Sequence, residues 1–450
     1  MRKIPCVLTI AGSDSGGGAG IQADLKTFSA LGVYGATAIT ALTAQNTKGV
    51  KEIFPLPANF VKKQIETILE DISIEMAKTG MLYSSEIMKV VAEASEKYDL
   101  KLVVDPVFRA GSGDLLIREE DKEALIRLII PKAYVLTPNK FEAEDIAGIK
   151  IESLDEMKKA AEKIADLGVK AVVIKGGHLN QQSKTVTDIL YYEGKFRIFT
   201  KPRIDVRPHG GGCSFSSAIA AYLAHGNPIP QAVEKAEKFI EEALRFASKI
   251  GKGRTPVNPL AALYNEAEKF RVLEDVYAAA KIIEENSELF LPYAAEVGTQ
   301  VAMALSYASS RWHVAAVEGR IVKIGDKLQR VGCVRFGASK HLANIILTVM
   351  KYDPNVKAAL NLHYSPKLVE AFQKIGFAVS NFDRSQEPPE IKAVEGKTLS
   401  WGTEQAIKKI GKVPDIIYDL GEVGKEPMIR VLGASATKAA EKALTALKRL

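Results

Sequence analysis

Three glycines stand directly before a cysteine in RPHGGGCSFSSAIAA, residues 207–221. Gly210, Gly211 and Gly212 can present backbone N–H groups with no Cβ in the way, and the run from Ser214 to Leu223 reads as a helix. A glycine turn at a helix start offers convergent donors and the positive end of the dipole. That is an anion site needing no cationic side chain. Cys213, in the first turn, would feel the same field, which lowers a thiol pKa. The alternative is a tight turn before a buried small-residue helix, with an inert cysteine. Two commoner phosphate motifs fail. G-x-G-x-x-G from Gly16 ends on Ile21, and G-x-x-x-x-G-K-[ST] ending at Gly396-Lys397-Thr398 begins on Ile391.

The elements that must position such a turn are legible as short apolar runs: CVLTIAG (6–12), ATAITAL (36–42), KLVVDPV (101–107), AYVLTPN (133–139) and AVVIKGG (171–177). Helix-period stretches such as FVKKQIETILEDI and SLDEMKKAAEKIADLG lie between them. Strand, turn and helix in repetition predict an α/β fold with a mostly parallel sheet flanked by helices. Ligands in such folds sit at the carboxyl ends of the strands, where GSDSGGGAG, DPV, TPN and KGGH fall. The alternation stops near GKGRTPVNP (251–259), and a helical pattern then runs from about Leu263 to Leu291. The expected domains are 1–262 and 263–450. The second has strands in WHVAAVEGRIVKIG, AALNLHY and DIIYDLG and helices in HLANIILTVMKY, LVEAFQKIG and TEQAIKKIG, a smaller α/β domain. No internal repeat links the halves.

Composition narrows the function classes. The 450 residues are too many for one ordinary core. The net charge of +7, from 61 basic and 54 acidic residues, is a mild excess that suits anionic metabolites. No Lys/Arg block carries interleaved aromatics, so nucleic acid is not expected as a partner. Cys6, Cys213 and Cys333 are odd in number and far apart, which argues against a disulfide framework or cysteine zinc site and for a reducing cytoplasm. MRKIPCVLTIAG is read as a first buried strand, not a signal segment, and no window of about 18 apolar residues exists to span a membrane. A homo-oligomer is expected.

In order along the chain, AGSDSGGGAGIQADLKTFSALGVYGATAITALTAQNTKGV, VVDPV, TPNKFEAE, VVIKGGH and HGGGC resemble the hydroxymethylpyrimidine/hydroxymethylpyrimidine-phosphate kinases of the ribokinase superfamily, over about residues 1–260. The resemblance implies two successive ATP-dependent phosphorylations of 4-amino-5-hydroxymethyl-2-methylpyrimidine to its diphosphate. It implies Gln45 on the aminopyrimidine edge, where an amide supplies one donor and one acceptor. Asp24 is a further polar contact there, and Met81 and Val107 are apolar walls. Lys175 would reach the nucleotide phosphates, and Asp105 and Glu142 would hold Mg²⁺, partly through water. Gly210 to Gly212 would cradle the transferring phosphoryl group. Cys213 stands where related kinases carry a catalytic Asp, as proton acceptor or as lining of the anion hole. There are departures. Gly211 replaces the Thr of the usual HGTGC, the segment between Arg203-Ile204-Asp205 and His209 is one residue short, and Gly111 precedes Ser112 where a Lys is common.

Further on, VEGRIV (317–322), FGASKHLANIILTVMKYDP (336–354) and WGTEQAIKKIGKVPDIIYDLGEVGKEPMIRVLG (401–433) resemble the ThiN-type thiamine-phosphate synthase domain, over about 270–450. That resemblance implies condensation of the pyrimidine diphosphate with thiazole phosphate, releasing pyrophosphate. Arg320 would grip phosphate oxygens, and His341 would hydrogen-bond or protonate the leaving diphosphate. Ser339, after Gly337 and Ala338, would help form a phosphate-binding helix start. Lys425 and Arg430 are candidate anion contacts. Cys333 is expected to pack, not react. Two rivals stand beside this reading: a second half that only senses thiamine phosphate, and a pyridoxal-type or sugar kinase in the first. The absence of a helix-turn-helix speaks against the sensor, and Gln45 with GSDSGGGAGIQAD against the other kinases.

Overall fold

A computed structural model describes residues 4–109, 113–114, 116–394 and 396–450. The chain falls into two compact units, Met1–Ala262 and Leu263–Leu450. Among the described residues no helix is long and apolar enough to cross a membrane.

The first unit is built on β1 (Cys6–Asp14), β2 (Tyr34–Asn46), β3 (Gly49–Pro55), β4 (Met76–Thr79), β5 (Lys101–Val104), β6 (Ala133–Leu136), β7 (Ala171–Ile174), β8 (Thr185–Tyr192) and β9 (Lys195–Pro202). They form one sheet in the order β3-β2-β1-β4-β5-β6-β7-β8-β9. In that order the six strands from β2 to β7 run parallel, β3 and β8 run opposite to them, and β9, antiparallel to β8, forms the far edge. Alternation along the strands makes two cores. Leu8, Ile10, Leu102, Val104, Val172 and Ile174 face α2 (Ala58–Asp71), α3 (Ser85–Lys97), α4 (Lys122–Leu128), α5 (Lys140–Ala147) and α6 (Leu154–Ala165). Val7, Val103, Val135 and Val173 face α1 (Gly20–Ala30), α7 (Gly211–Ala224) and α8 (Ile229–Arg245). The two-residue strands β10 (Pro208–His209) and β11 (Thr255–Pro256) pair beside the start of α7.

The second unit opens with α9 (Ala261–Glu285) and α10 (Ser287–Phe290). Its strands are β12 (Gln300–Ala304), β13 (Val314–Val317), β14 (Ile321–Ile324), β15 (Lys327–Arg330), β16 (Val334–Phe336), β17 (Ala358–His363), β18 (Val379–Asn381), β19 (Ile416–Asp419) and β20 (Met428–Gly433). Seven of them form a sheet in the order β16-β13-β12-β17-β20-β19-β18, antiparallel except for β18 with β19. One face packs on α9, α12 (Pro366–Ile375) and α15 (Ala436–Leu447), the other on α11 (Lys340–Val349) and α14 (Lys397–Ile410). A short α13 (Pro389–Lys392) precedes α14.

Candidate active sites in the two units

The carboxyl ends of the parallel strands open into a cleft of about 780 Å³. Gln45, Met81, Asp105, Val107, Glu142, Lys175, Gly210, Gly211, Gly212 and Cys213 all line it. Each stands at or just beyond the end of a strand, or at the start of α5 or α7. Gly210 caps α7 in the left-handed conformation (φ +78°), and a Cβ there would stand 1.8 Å from the Gly18 carbonyl oxygen. Only glycine permits that approach. At Gly212 a Cβ would lie 3.3 Å from both the Asp105 carboxylate and the Lys175 ammonium, so this backbone faces the charged end of the cleft. Lys175 Nζ donates to Asp105 Oδ1 at 3.0 Å. Glu142 completes a capping box with Asn139 at the start of α5, accepting from its N–H at 2.7 Å. Burial pushes the Glu142 carboxyl up to about 7; Lys175 works against that shift and Asp105 adds to it.

Two expectations about this cleft need correction. Asp24 does not line it and cannot touch a ligand ring. It is fully buried, accepting from Thr9 Oγ1 at 2.6 Å, Ser217 Oγ at 2.7 Å and Lys78 Nζ at 2.9 Å. An unpaired carboxylate at that depth would be prohibitive, and Lys78 is its counter-charge. The Cys213 thiol is not acidified by its helix. Burial pushes it up to about 11, Lys78 opposes the shift, and the Asp24 and Asp105 charges reinforce it. Desolvation is the largest cause here. The departure at Gly111 and Ser112 lies outside the described residues.

Sequence reasoning missed His209, Asp14 and Lys78. His209 Nε2 lies 2.7 Å from Asp14 Oδ2 and 3.5 Å from Gln45 Nε2. Asp14 also accepts the N–H groups of Gly16, Gly18 and Ala19, which fixes the glycine loop after β1. Burial opposes the charge on Asp14, but His209 and these N–H groups hold its carboxyl below the usual range. His209 thus ties the first glycine loop, the second glycine turn and Gln45 together. It stands in the HGGGC motif, which was the one available signal. Lys78 lines the cleft from the end of β4, where Gly80 two residues on was the one local signal.

In the second unit, Arg320 has a left-handed backbone (φ +71°), strained for a side chain of this size, and its guanidinium donates to the Val297 carbonyl. His341 is exposed in the first turn of α11. Desolvation lowers its pKa, and so do Arg320, Lys340, Arg430 and Arg384, in that order. The structure therefore gathers four cations around this imidazole. Ser339 is the N-cap, its oxygen accepting from Leu342 N at 3.3 Å. Arg430 is not a free anion contact. It is buried with Arg384 against Asp419, which Arg384 Nε meets at 2.6 Å. Two guanidiniums on one carboxylate leave one positive charge uncompensated there. Phe382 lies under both, 5.7 and 5.6 Å from ring centre to the guanidinium carbons. Lys425 pairs with Glu422 at 3.5 Å in an exposed turn. Cys333 is exposed and does not pack. Arg384 and Asp419 were not anticipated, because nothing local marks an ion pair 35 residues apart.

Known proteins match both halves. Residues 14–258 fit the phosphomethylpyrimidine kinase family and residues 275–445 the thiamine-phosphate synthase ThiN family. The bifunctional thiamine biosynthesis protein ThiDN of Methanocaldococcus jannaschii is 36% identical over 442 residues, 97% of each chain. The hydroxymethylpyrimidine/phosphomethylpyrimidine kinase of Bacillus subtilis is 45% identical over 256 residues, covering 56% of this chain and 94% of its own. Among solved structures, the ADP complex of Bacillus subtilis pyridoxal kinase has a TM-score of 0.54 at 36% identity, covering 58% of this chain and 99% of that one. The Staphylococcus aureus pyridoxal kinase in complex with AMP-PCP and pyridoxal has a TM-score of 0.52 at 38% identity, covering 57% and 94%. The ribokinase-like architecture expected of the first half holds. The chain belongs to the family of bifunctional thiamine biosynthesis proteins in which a phosphomethylpyrimidine kinase domain precedes a ThiN thiamine-phosphate synthase domain.

Proposed function

We propose that the first unit phosphorylates 4-amino-5-hydroxymethyl-2-methylpyrimidine twice with ATP, and that the second joins the diphosphate to thiazole phosphate, releasing pyrophosphate. The carrying observation is the convergence on one cleft of Gln45, the Gly210–Gly212 turn, Lys175 and the Asp105–Glu142 pair. Gln45, steadied by Thr43 Oγ1 at 3.1 Å, orients the aminopyrimidine against Met81 and Val107. The bare amides at the start of α7 then meet the phosphoryl group as its charge spreads in transfer. Lys175 leaves Asp105 to meet the nucleotide phosphates. A thiol held near 11 is protonated at neutral pH, which favours Cys213 as a donor lining the anion site over a resting base.

Asp105 and Glu142 suit Mg²⁺. They are an acidic pair with Lys175 close by, and burial, with Asp105 adding to it, disfavours the charge on Glu142 that a bound cation would favour. Among the described residues no group of three or more His, Cys, Asp or Glu makes a cage. Phosphate oxygens and water would complete the shell, as this ion prefers. When bound, the ion neutralises phosphate charge during transfer.

In the second unit, Arg320 would hold the diphosphate, with the buried Arg384–Asp419–Arg430 group adding to the positive field around His341. The lowered His341 pKa favours the neutral imidazole in the free protein, which can donate an N–H; a bound diphosphate would offset the surrounding cations and favour its protonation. The three free thiols suit a cytosolic setting.

The test supplies the pyrimidine alcohol, ATP, Mg²⁺ and thiazole phosphate to the intact protein. Thiamine phosphate is the expected product, and His341→Ala should accumulate pyrimidine diphosphate instead. A higher kcat/KM for pyridoxal than for the pyrimidine would overturn the kinase assignment. A fully active His341→Ala variant would remove that histidine from the chemistry.

A further inference from the structure

His363 ends β17 with its side chain 37% exposed, and its Nδ1 lies 2.8 Å from Glu426 Oε1. A carboxylate only accepts, so the Nδ1 proton belongs to that bond, and in the neutral ring Nε2 keeps a lone pair. Among the described residues no group meets Nε2. Glu426 is held in turn. Its Oε1 also accepts from Glu296 N at 2.9 Å, while its other oxygen is enclosed with no donor. Among the described residues no lysine or arginine pairs with it; the adjacent Lys425 goes to Glu422. Strand register sets this pair at the end of the sheet that carries the synthase candidates. Asn361 and His363, two apart on β17, share a face, and Asn361 stands opposite Arg430 of β20. Ala359 and Leu432, on that same face, pack under α11 and α14, and α11 carries His341 in its first turn. A second link runs through the loop before β12. Glu296 meets Glu426, and the next residue, Val297, accepts from the Arg320 guanidinium. After desolvation, Arg320 is also the largest influence on the His341 pKa.

This end of the sheet is therefore divided by charge. Arg320 stands toward His341, and a carboxylate without a cationic partner stands behind His363. A diphosphate suits the first part and is repelled by the second. What suits the second is an N–H donor that gains positive charge during the reaction. Thiazole phosphate has no N–H donor, whereas the aminopyrimidine diphosphate carries an exocyclic amine. As its methylene C–O bond breaks, the electron pair leaves with pyrophosphate and the amine lone pair shares the positive charge left on the ring. The amine N–H then becomes a stronger donor. The thiazole nitrogen lone pair closes the new C–N bond, and no proton is gained or lost overall. We propose that His363 Nε2 accepts a hydrogen bond from that amine in the second unit, with Glu426 as the positioning residue behind it. This rests on the synthase reading above.

The experiment uses the intact protein, thiazole phosphate, the aminopyrimidine diphosphate and a deamino diphosphate with hydrogen in place of the amine. His363→Ala should lower kcat/KM for the aminopyrimidine diphosphate about 10- to 100-fold and leave the inhibition constant of the deamino compound within about threefold. Glu426→Gln can still accept from Glu296, but its amide can donate to Nδ1. That moves the ring proton to Nε2 and turns it against the amine, so this variant should show the same selective loss. A merely structural role would weaken the substrate and the deamino inhibitor together, and that result overturns the proposal. So does a His363→Ala variant with the wild-type kcat/KM. A wild type that uses the deamino diphosphate as readily as the amine overturns it without any variant. A wild type that makes no thiamine phosphate from the aminopyrimidine diphosphate and thiazole phosphate refutes the synthase reading itself, and this proposal with it.

Discussion

Gly210 and Gly211 are adjacent but differ in what they require. At Gly211 the nearest atom to an added Cβ is the Pro208 Cβ, 3.7 Å away, an ordinary contact. Gly211→Ala should therefore retain kinase activity and gain about 0.5–1 kcal/mol from a less flexible unfolded chain and a better helix former. Gly210→Ala must displace the Gly18 carbonyl and should lower kcat by roughly 100-fold or more. Steady-state kinetics and thermal melts on the two variants check both halves. The triple glycine was legible because glycine has few uses. Asp24 misled because its side-chain partners come from Thr9, Lys78 and Ser217, and no spacing reveals that they close over it. The thiol of Cys213 misled for a related reason: a helix start is visible in sequence, whereas the depth of burial is not.

The strands expected from apolar runs are the buried parallel ones. β9 was missed because its residues are half-buried or exposed, so it carries charge where a core strand carries Val. β4 was missed because Lys78 interrupts it. The β8–β9 edge matters to the site. Asp188 Oδ1 accepts from Gly176 N at 2.7 Å, fixing the backbone beside Lys175, while Lys201 joins Asp188 at 2.8 Å and also meets Glu237 of α8. Burial first, and Asp188 second, push the Glu237 carboxyl up to about 8, with Lys201 opposing. Its folded pKa is thus above its unfolded value. The folded state holds the proton longer, so this group costs stability as pH rises from about 4.5 to about 8. Glu237→Gln removes the titration. Relative to the wild type, its melting temperature should be several degrees higher at pH 9 than at pH 5. An unchanged difference across that range would show that the pair titrates elsewhere.

Each unit buries its own core, and each matches a separate family. Fragments 1–262 and 263–450 should each unfold cooperatively and retain their half of the chemistry. Mixed together, they should form thiamine phosphate with a longer lag than the intact chain, because fusion raises the local concentration of the shared intermediate. Calorimetry and a progress curve test this, and an inactive, unfolded 263–450 fragment would contradict it. The two-part organisation was readable from the Gly/Pro stretch at 251–259. The antiparallel order of the second sheet was not, since alternating strands and helices leave strand direction open.

The glycine turn at α7 leans on segments from both ends of the first unit: Gly18 against Gly210, and Thr255 and Pro256 paired with Pro208 and His209. On a ribosome, the nascent chain therefore has no working phosphate pocket until about residue 257 has left the exit tunnel. ATP turnover begins only once that whole unit has been made, so an interrupted translation product is silent and consumes no nucleotide.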